Sequence, residues 1–167
     1  GNPASSHAAG FAALKAVERA RAQVAALVGA QPDEMVWTSG ATESNNLALK
    51  GAVEFYGNRG RHIVTNRIEH KSVLDTCRHL ETQGVKVTWL KPDAGGRIAA
   101  QQVLDALQPD TVLVSLMWVN NETGVINDIA ALAPKLRERG VLLHVDAVQA
   151  AGKIAIDLAA TPIDLLS

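Results

Sequence analysis

The chain has 167 residues, the size of one ordinary domain or of a portion of a larger protein. Lys and Arg total 16 against 17 Asp and Glu, a net charge of −1, without the basic surplus of a dedicated nucleic-acid binder. With 47% hydrophobic and 20% charged residues the composition is that of a folded globule, and no apolar run reaches the ~18–20 residues of a membrane span.

No nucleic-acid or membrane partner is therefore expected. The single Cys rules out a disulfide within the chain and agrees with a reducing, cytoplasmic setting. The first six residues lack the charged-then-apolar layout of a secretory leader, and there is no initiator Met, so the sequence looks like an internal portion of a longer chain.

In chain order, Leu14, Val17, Val24, Leu27 and Val28 recur at helical spacing after Ser5-Ser6-His7, with Gly29 as the expected stop. Strands are predicted at residues 35–38, 62–66, 86–90, 111–119 and 141–146. Helices are predicted at 43–55, 71–82, 99–107 and 128–139, with Pro134 either kinking the last or delaying its start. Alternation of this kind predicts an α/β domain, a mostly parallel sheet covered by flanking helices. Ligands of such sheets sit at the carboxyl ends of the strands. Polar clusters fall at four of those ends: 38–46, 69–71, 120–122 and 146–149.

Each cluster has a chemical reading and a plain one. Gly40 and Ala41 allow close approach to main-chain N–H groups, and Thr42 adds a hydroxyl at a helix start. The segment suits a phosphate, or is an ordinary capped helix; neither GxxxxGK[ST] nor GxGxxG is present. Asp146 ends an apolar strand, where a carboxylate is costly to bury without a cation such as a protonated pyridine nitrogen. His144 shares its face, which leaves a His-x-Asp metal pair open, and a simple turn cap is the third reading. His70 can stack on a planar ring or move a proton near neutral pH, or serve as a structural residue at a helix start. Asn121 and Gln149 are neutral hydrogen-bonding groups suited to orienting a ligand. Cys77 shares a helical stripe with Val73, Leu74 and Leu80 and is expected in the core, while Lys71 and Lys153 are expected in solvent.

The segments GNPASSH (1–7), TSGATESNNLALKG (38–51), EHKSVLDTC (69–77), VNNETGVI (119–126) and HVDAVQAAGK (144–153) together resemble the pyridoxal-phosphate cysteine desulfurases of the class V aminotransferase superfamily. The likeness is to the group serving iron–sulfur cluster assembly. It implies that residues 1–167 are part of the large, pyridoxal-5′-phosphate-binding domain of a fold-type I transferase. It also implies a preceding N-terminal segment, a Schiff-base lysine segment, a catalytic cysteine loop and a small C-terminal domain, none of which is in this sequence. These residues alone are then expected to be inactive.

By the same resemblance Ala41 and Thr42 hold the cofactor phosphate, and His70 stacks on the ring and assists proton transfer. Asn121 lies beside the cofactor, Asp146 pairs with the pyridine nitrogen and Gln149 hydrogen-bonds the phenolic oxygen. The metal reading of His144 and Asp146 is set aside by that likeness. The implied reaction takes sulfur from L-cysteine, leaving L-alanine and an enzyme persulfide for a sulfur-acceptor or scaffold protein, in a homodimer. The alternatives are a related lyase or aminotransferase, such as selenocysteine lyase, and a non-catalytic pyridoxal-phosphate-binding or scaffold protein.

Overall fold

The apolar periodicity after His7 produces α1 (Ala8–Val28) in the computed structural model, which describes residues 1–167. His7 caps its start, Nδ1 accepting from the Gly10 N–H at 3.2 Å. Gly29 ends it at φ 71°, a left-handed value that costs glycine no Cβ clash. A 3-10 turn follows at Pro32–Glu34.

Residues 35–38 do not form the predicted strand. They pair with no other strand, and Val36 and Trp37 are 68% and 47% exposed. Their β-branched and aromatic character fits an extended segment, but a strand needs a ladder partner, and here α1 lies alongside instead. Arg21 of α1 donates to the Met35 carbonyl and sets its guanidinium 5.6 Å from the centre of the Trp37 ring.

The remaining elements follow the expected alternation: α2 (Ala41–Phe55), β1 (His62–Asn66), α3 (Lys71–Thr82), β2 (Lys86–Leu90), α4 (Ala100–Asp105), β3 (Thr111–Met117), α5 (Ile129–Glu138) and β4 (Leu142–Asp146). A two-residue β5 (Leu165–Leu166), not predicted, closes the series. Asp128 caps α5, accepting from the Ala131 N–H at 3.0 Å. Pro134 lies inside that helix without delaying its start, on the exposed side where the carbonyl left without a donor can meet water.

All five strands are parallel, in the order β2-β1-β3-β4-β5. β1 and β3 are buried at every position, as expected of central strands covered on both faces. On one face α2 and α3 bring Leu49, Val53, Val73 and Cys77 onto Ile63 and Leu113. On the other, α4 and α5 bring Val103, Leu132 and Leu136 onto Val64, Val114 and Val145. The chain leaves β1 for α3 on the first face and leaves β3 for α5 on the second. The two connections part above the β1–β3 pair, which opens a crevice at the carboxyl ends.

Two buried histidines tie the strands crosswise. His62 of β1 meets Thr111 Oγ1 on β3 at 2.7 Å and Thr88 Oγ1 on β2 at 2.9 Å. His144 of β4 meets Ser115 Oγ on β3 at 2.8 Å and Ser167 Oγ, just past β5, at 3.1 Å. Burial pushes the His144 imidazole down to about 3, so it is neutral at ordinary pH.

Candidate active site

The strand-end edge is built around Asp146, the last residue of β4 and only 3% exposed. Its carboxyl oxygens accept from Asn45 Nδ2 at 2.9 Å and from the Val148 N–H at 3.2 Å. Both donors are neutral, and no Lys, Arg or His nitrogen lies within ion-pair distance of it. The neighbouring His144 has both ring nitrogens engaged by hydroxyls within the sheet, away from any ligand shared with Asp146.

Asn45 reaches Asp146 because it occupies the apolar stripe of α2, four residues before Leu49 and fully buried like it. The carboxyl group fixes the orientation of the amide: Nδ2 must face Asp146, since Oδ1 would set oxygen against oxygen. The same Nδ2 also donates to Ser72 Oγ at 2.8 Å. With its oxygen accepting there, the Ser72 hydroxyl hydrogen points to His70 Nδ1, 2.8 Å away.

His70 is exposed and is the N-cap of α3, its Nδ1 also accepting from the Ser72 N–H at 3.2 Å. A nitrogen that accepts from a main-chain N–H carries no hydrogen, so the network assigns the neutral ring proton to Nε2. An unbroken run of hydrogen bonds thus joins His70 to Asp146 through Ser72 and Asn45. The sequence alone gives neither intermediary a role; the one signal it carries is Asn45, a polar residue on the otherwise apolar buried stripe of α2.

Ala41 and Thr42 open α2. Its N-cap, Gly40, carries no capping side chain, and φ 158° with ψ 176° is backbone that glycine alone adopts readily. A Cβ there would meet nothing within 4 Å, so conformation rather than space calls for the glycine. Helix geometry leaves the first N–H groups of α2 without intrahelical partners, beside the Thr42 hydroxyl. Ser39 is held by Glu43, whose Oε2 accepts from the Ser39 N–H and Oγ, both at 2.6 Å; these bonds keep the Glu43 carboxyl below its usual range. Thr42 and His70 share the wall of a cleft of about 400 Å³ between α2 and α3, lined by polar and charged residues.

Asn121 and Gln149 flank this arrangement without joining it. Asn121 is exposed after β3 and donates to Glu122 Oε1 at 2.8 Å, whereas Gln149 Oε1 accepts from Lys153 Nζ at 2.6 Å. The β3 loop is nonetheless tied to the His70 loop, because Asn120 Nδ2 donates to the Ile68 carbonyl at 2.8 Å. Cys77 is fully buried, and loss of solvation pushes its thiol up to about 12. Lys71 is exposed, as expected.

The sequence pattern of the aminotransferase class-V family matches residues 1–167. The chain belongs to that family. Its members depend on pyridoxal phosphate. Among curated relatives, "Cysteine desulfurase IscS" of Pseudomonas aeruginosa and that of Azotobacter vinelandii are each 58% identical over the whole chain, which covers 42% of either protein. The chain therefore spans less than half the length of those relatives. Among solved structures, "SspA in complex with cysteine" superposes with a TM-score of 0.96 at 42% identity, over all of this chain and 48% of that one. DndA from Streptomyces lividans gives 0.90 at 52% identity, over 99% of this chain and 46% of that one.

The site's own chemistry fits the family cofactor. A buried carboxyl group with only neutral donors suits a protonated ring nitrogen, and the uncapped start of α2 suits a phosphate.

Proposed function

We propose that these residues form the cofactor-holding edge of a cysteine desulfurase, which takes sulfur from L-cysteine and leaves L-alanine and an enzyme persulfide. The observation that carries this reading is Asp146, buried at a strand end without a cation and connected by hydrogen bonds to His70. Relatives bearing the cysteine desulfurase name at 58% identity support it.

In this reading the main chain at Ala41 and Thr42, with the Thr42 hydroxyl, holds the phosphate of pyridoxal 5′-phosphate. Asp146 pairs with the ring nitrogen, Gln149 serves the phenolic oxygen, and His70 and Asn121 border the ring and substrate. The cofactor, when bound, supplies an electron sink for negative charge developing on the substrate carbon.

The chain's own residues do the orienting. Asn45 holds the Asp146 carboxyl in place, and Ser72 fixes the His70 ring so that Nε2 carries the hydrogen and serves as a donor. The lysine that bonds the cofactor and the cysteine that carries sulfur belong, in this reading, to sequence outside residues 1–167. The sulfur acceptor is a scaffold or carrier protein, the enzyme a homodimer, and its compartment the cytoplasm; no helix of the chain is long and apolar enough to cross a membrane.

The test uses the full-length protein with pyridoxal phosphate and L-cysteine under a reductant. A visible absorption band from bound cofactor, with alanine and sulfide formed in equal amounts, is expected. Failure to bind the cofactor, or binding without alanine production, refutes the proposal.

A further inference from the structure

Behind His70, at the crevice between β1 and β3, sits a carboxyl group that the reading above leaves unused. Glu69 is 5% exposed. Its Oε1 accepts from the Met117 N–H at the end of β3, at 2.8 Å, and from Asn66 Nδ2 at the end of β1. Asn66 Oδ1 in turn accepts from the Ile68 N–H at 2.9 Å, so the short β1–α3 connection is fastened at both ends. Glu69 Oε2 has no partner at all.

We propose that Glu69 is a positioning residue for the site: it locks the loop carrying His70 onto the end of β3, and it does so as the neutral acid. This rests on the cofactor reading only for its effect on ligand binding; the locking itself is a property of the chain.

The neutral form follows from the surroundings. Both donors to Glu69 are uncharged, and no cationic side chain lies within ion-pair distance. The titratable groups facing it are Asp146 from β4, whose charge raises the Glu69 carboxyl further, and Cys77 from α3, a neutral thiol that supplies no compensating positive charge. β3 has no ionisable side chain, and His62, the one on β1, lies at the other end of its strand. A buried anion there would be without compensation. Consistently, loss of solvation raises the Glu69 carboxyl to about 8. The acid form also gives the unpartnered Oε2 a hydrogen to donate.

The experiment compares Glu69→Gln and Glu69→Leu in the full-length protein. The amide matches the shape and neutrality of the acid and keeps the acceptor for Met117; leucine removes it. Two readouts are taken: amide hydrogen exchange at Met117 and residues 68–72 without cofactor, and the dissociation constant of pyridoxal phosphate from its absorption band. Glu69→Leu is expected to speed exchange at these amides and weaken cofactor binding, each by about tenfold or more, while Glu69→Gln stays close to wild type. Above pH about 8 wild type should lose loop protection beyond the intrinsic rise of exchange with pH, and Glu69→Gln should not.

A Gln variant that behaves like Leu would show that the anion is the working form and overturn the proposal. So would wild-type exchange in both variants. Should the Leu variant fail to fold, the alkaline comparison of Gln with wild type decides. Absence of cofactor binding in wild type would refute the proposed function while leaving the exchange result to judge Glu69.

Discussion

Glu69 and His144 impose opposite pH dependences on stability, and their sum has a definite shape. The His144 imidazole is pushed down from 6.5 to about 3 by burial, so between these values the unfolded chain binds a proton that the folded chain refuses. Stability then falls as pH is lowered through that window, by at most about 1.4 kcal/mol per pH unit. The Glu69 carboxyl is raised from 4.5 to about 8, so its contribution is fully present below 4.5 and is lost as pH rises toward 8. Between 4.5 and 6.5 the two slopes offset each other. Above 6.5 the Glu69 slope is no longer offset, and about 2 kcal/mol is lost by pH about 8; below 4.5 the His144 slope is no longer offset, with a similar loss by pH about 3. His62, also lowered chiefly by burial, adds to the acid limb. Urea unfolding of the full-length protein from pH 4 to 9 gives the profile, and the difference from Glu69→Gln isolates the alkaline limb. An alkaline limb that survives unchanged in that variant, or stability rising steadily from pH 6.5 to 8, would refute the reasoning.

Asp146→Ala removes the buried carboxyl group that ends β4, and under the proposed function is expected to weaken pyridoxal phosphate binding by about tenfold to a hundredfold. Unchanged affinity in a titration would take Asp146 out of the site. Ser72→Ala deletes the hydroxyl between Asn45 and His70; a loss of about 1 kcal/mol in thermal unfolding, with slower alanine formation, is expected, and no change in either would break the proposed connection. Cys77→Ala should leave sulfur transfer intact and cost about 1 kcal/mol of stability for the small void it opens, and the native thiol should resist alkylation until the protein unfolds. Loss of persulfide formation in Cys77→Ala would overturn its place in the core.

β1, α3 and β2 have the bounds expected from sequence, because each is a short buried or amphipathic run with a clear period. The segment at 35–38 has the same apolar character but no neighbour to pair with, and β5 has neighbours but only two residues to announce it. Pairing is a non-local fact, and a local pattern carries it only when the strand is long enough to need both faces covered. The site divides along the same line. Thr42, His70 and Asp146 stand at element boundaries, where a polar residue is conspicuous. Asn45, Ser72 and Glu69 become a network only when α2 and α3 dock on the sheet and close over them. A carboxyl group beside a histidine does not disclose from sequence alone that it turns inward while its neighbour stays in solvent.

The two cross-tying histidines give the sheet a way of checking its own assembly. Each imidazole is satisfied only when hydroxyls from both flanks are in place: Thr88 and Thr111 for His62, Ser115 and Ser167 for His144. A half-formed sheet leaves a buried ring nitrogen without a partner, which is costlier than leaving the edge of a purely apolar sheet open. Slipping any of these strands by one residue turns the histidine or its hydroxyl to the opposite face and loses the bond outright. The parallel strands, whose apolar runs alone would tolerate several alignments, are thereby restricted to the one that brings Asp146 level with Met117 at the edge where the site is built.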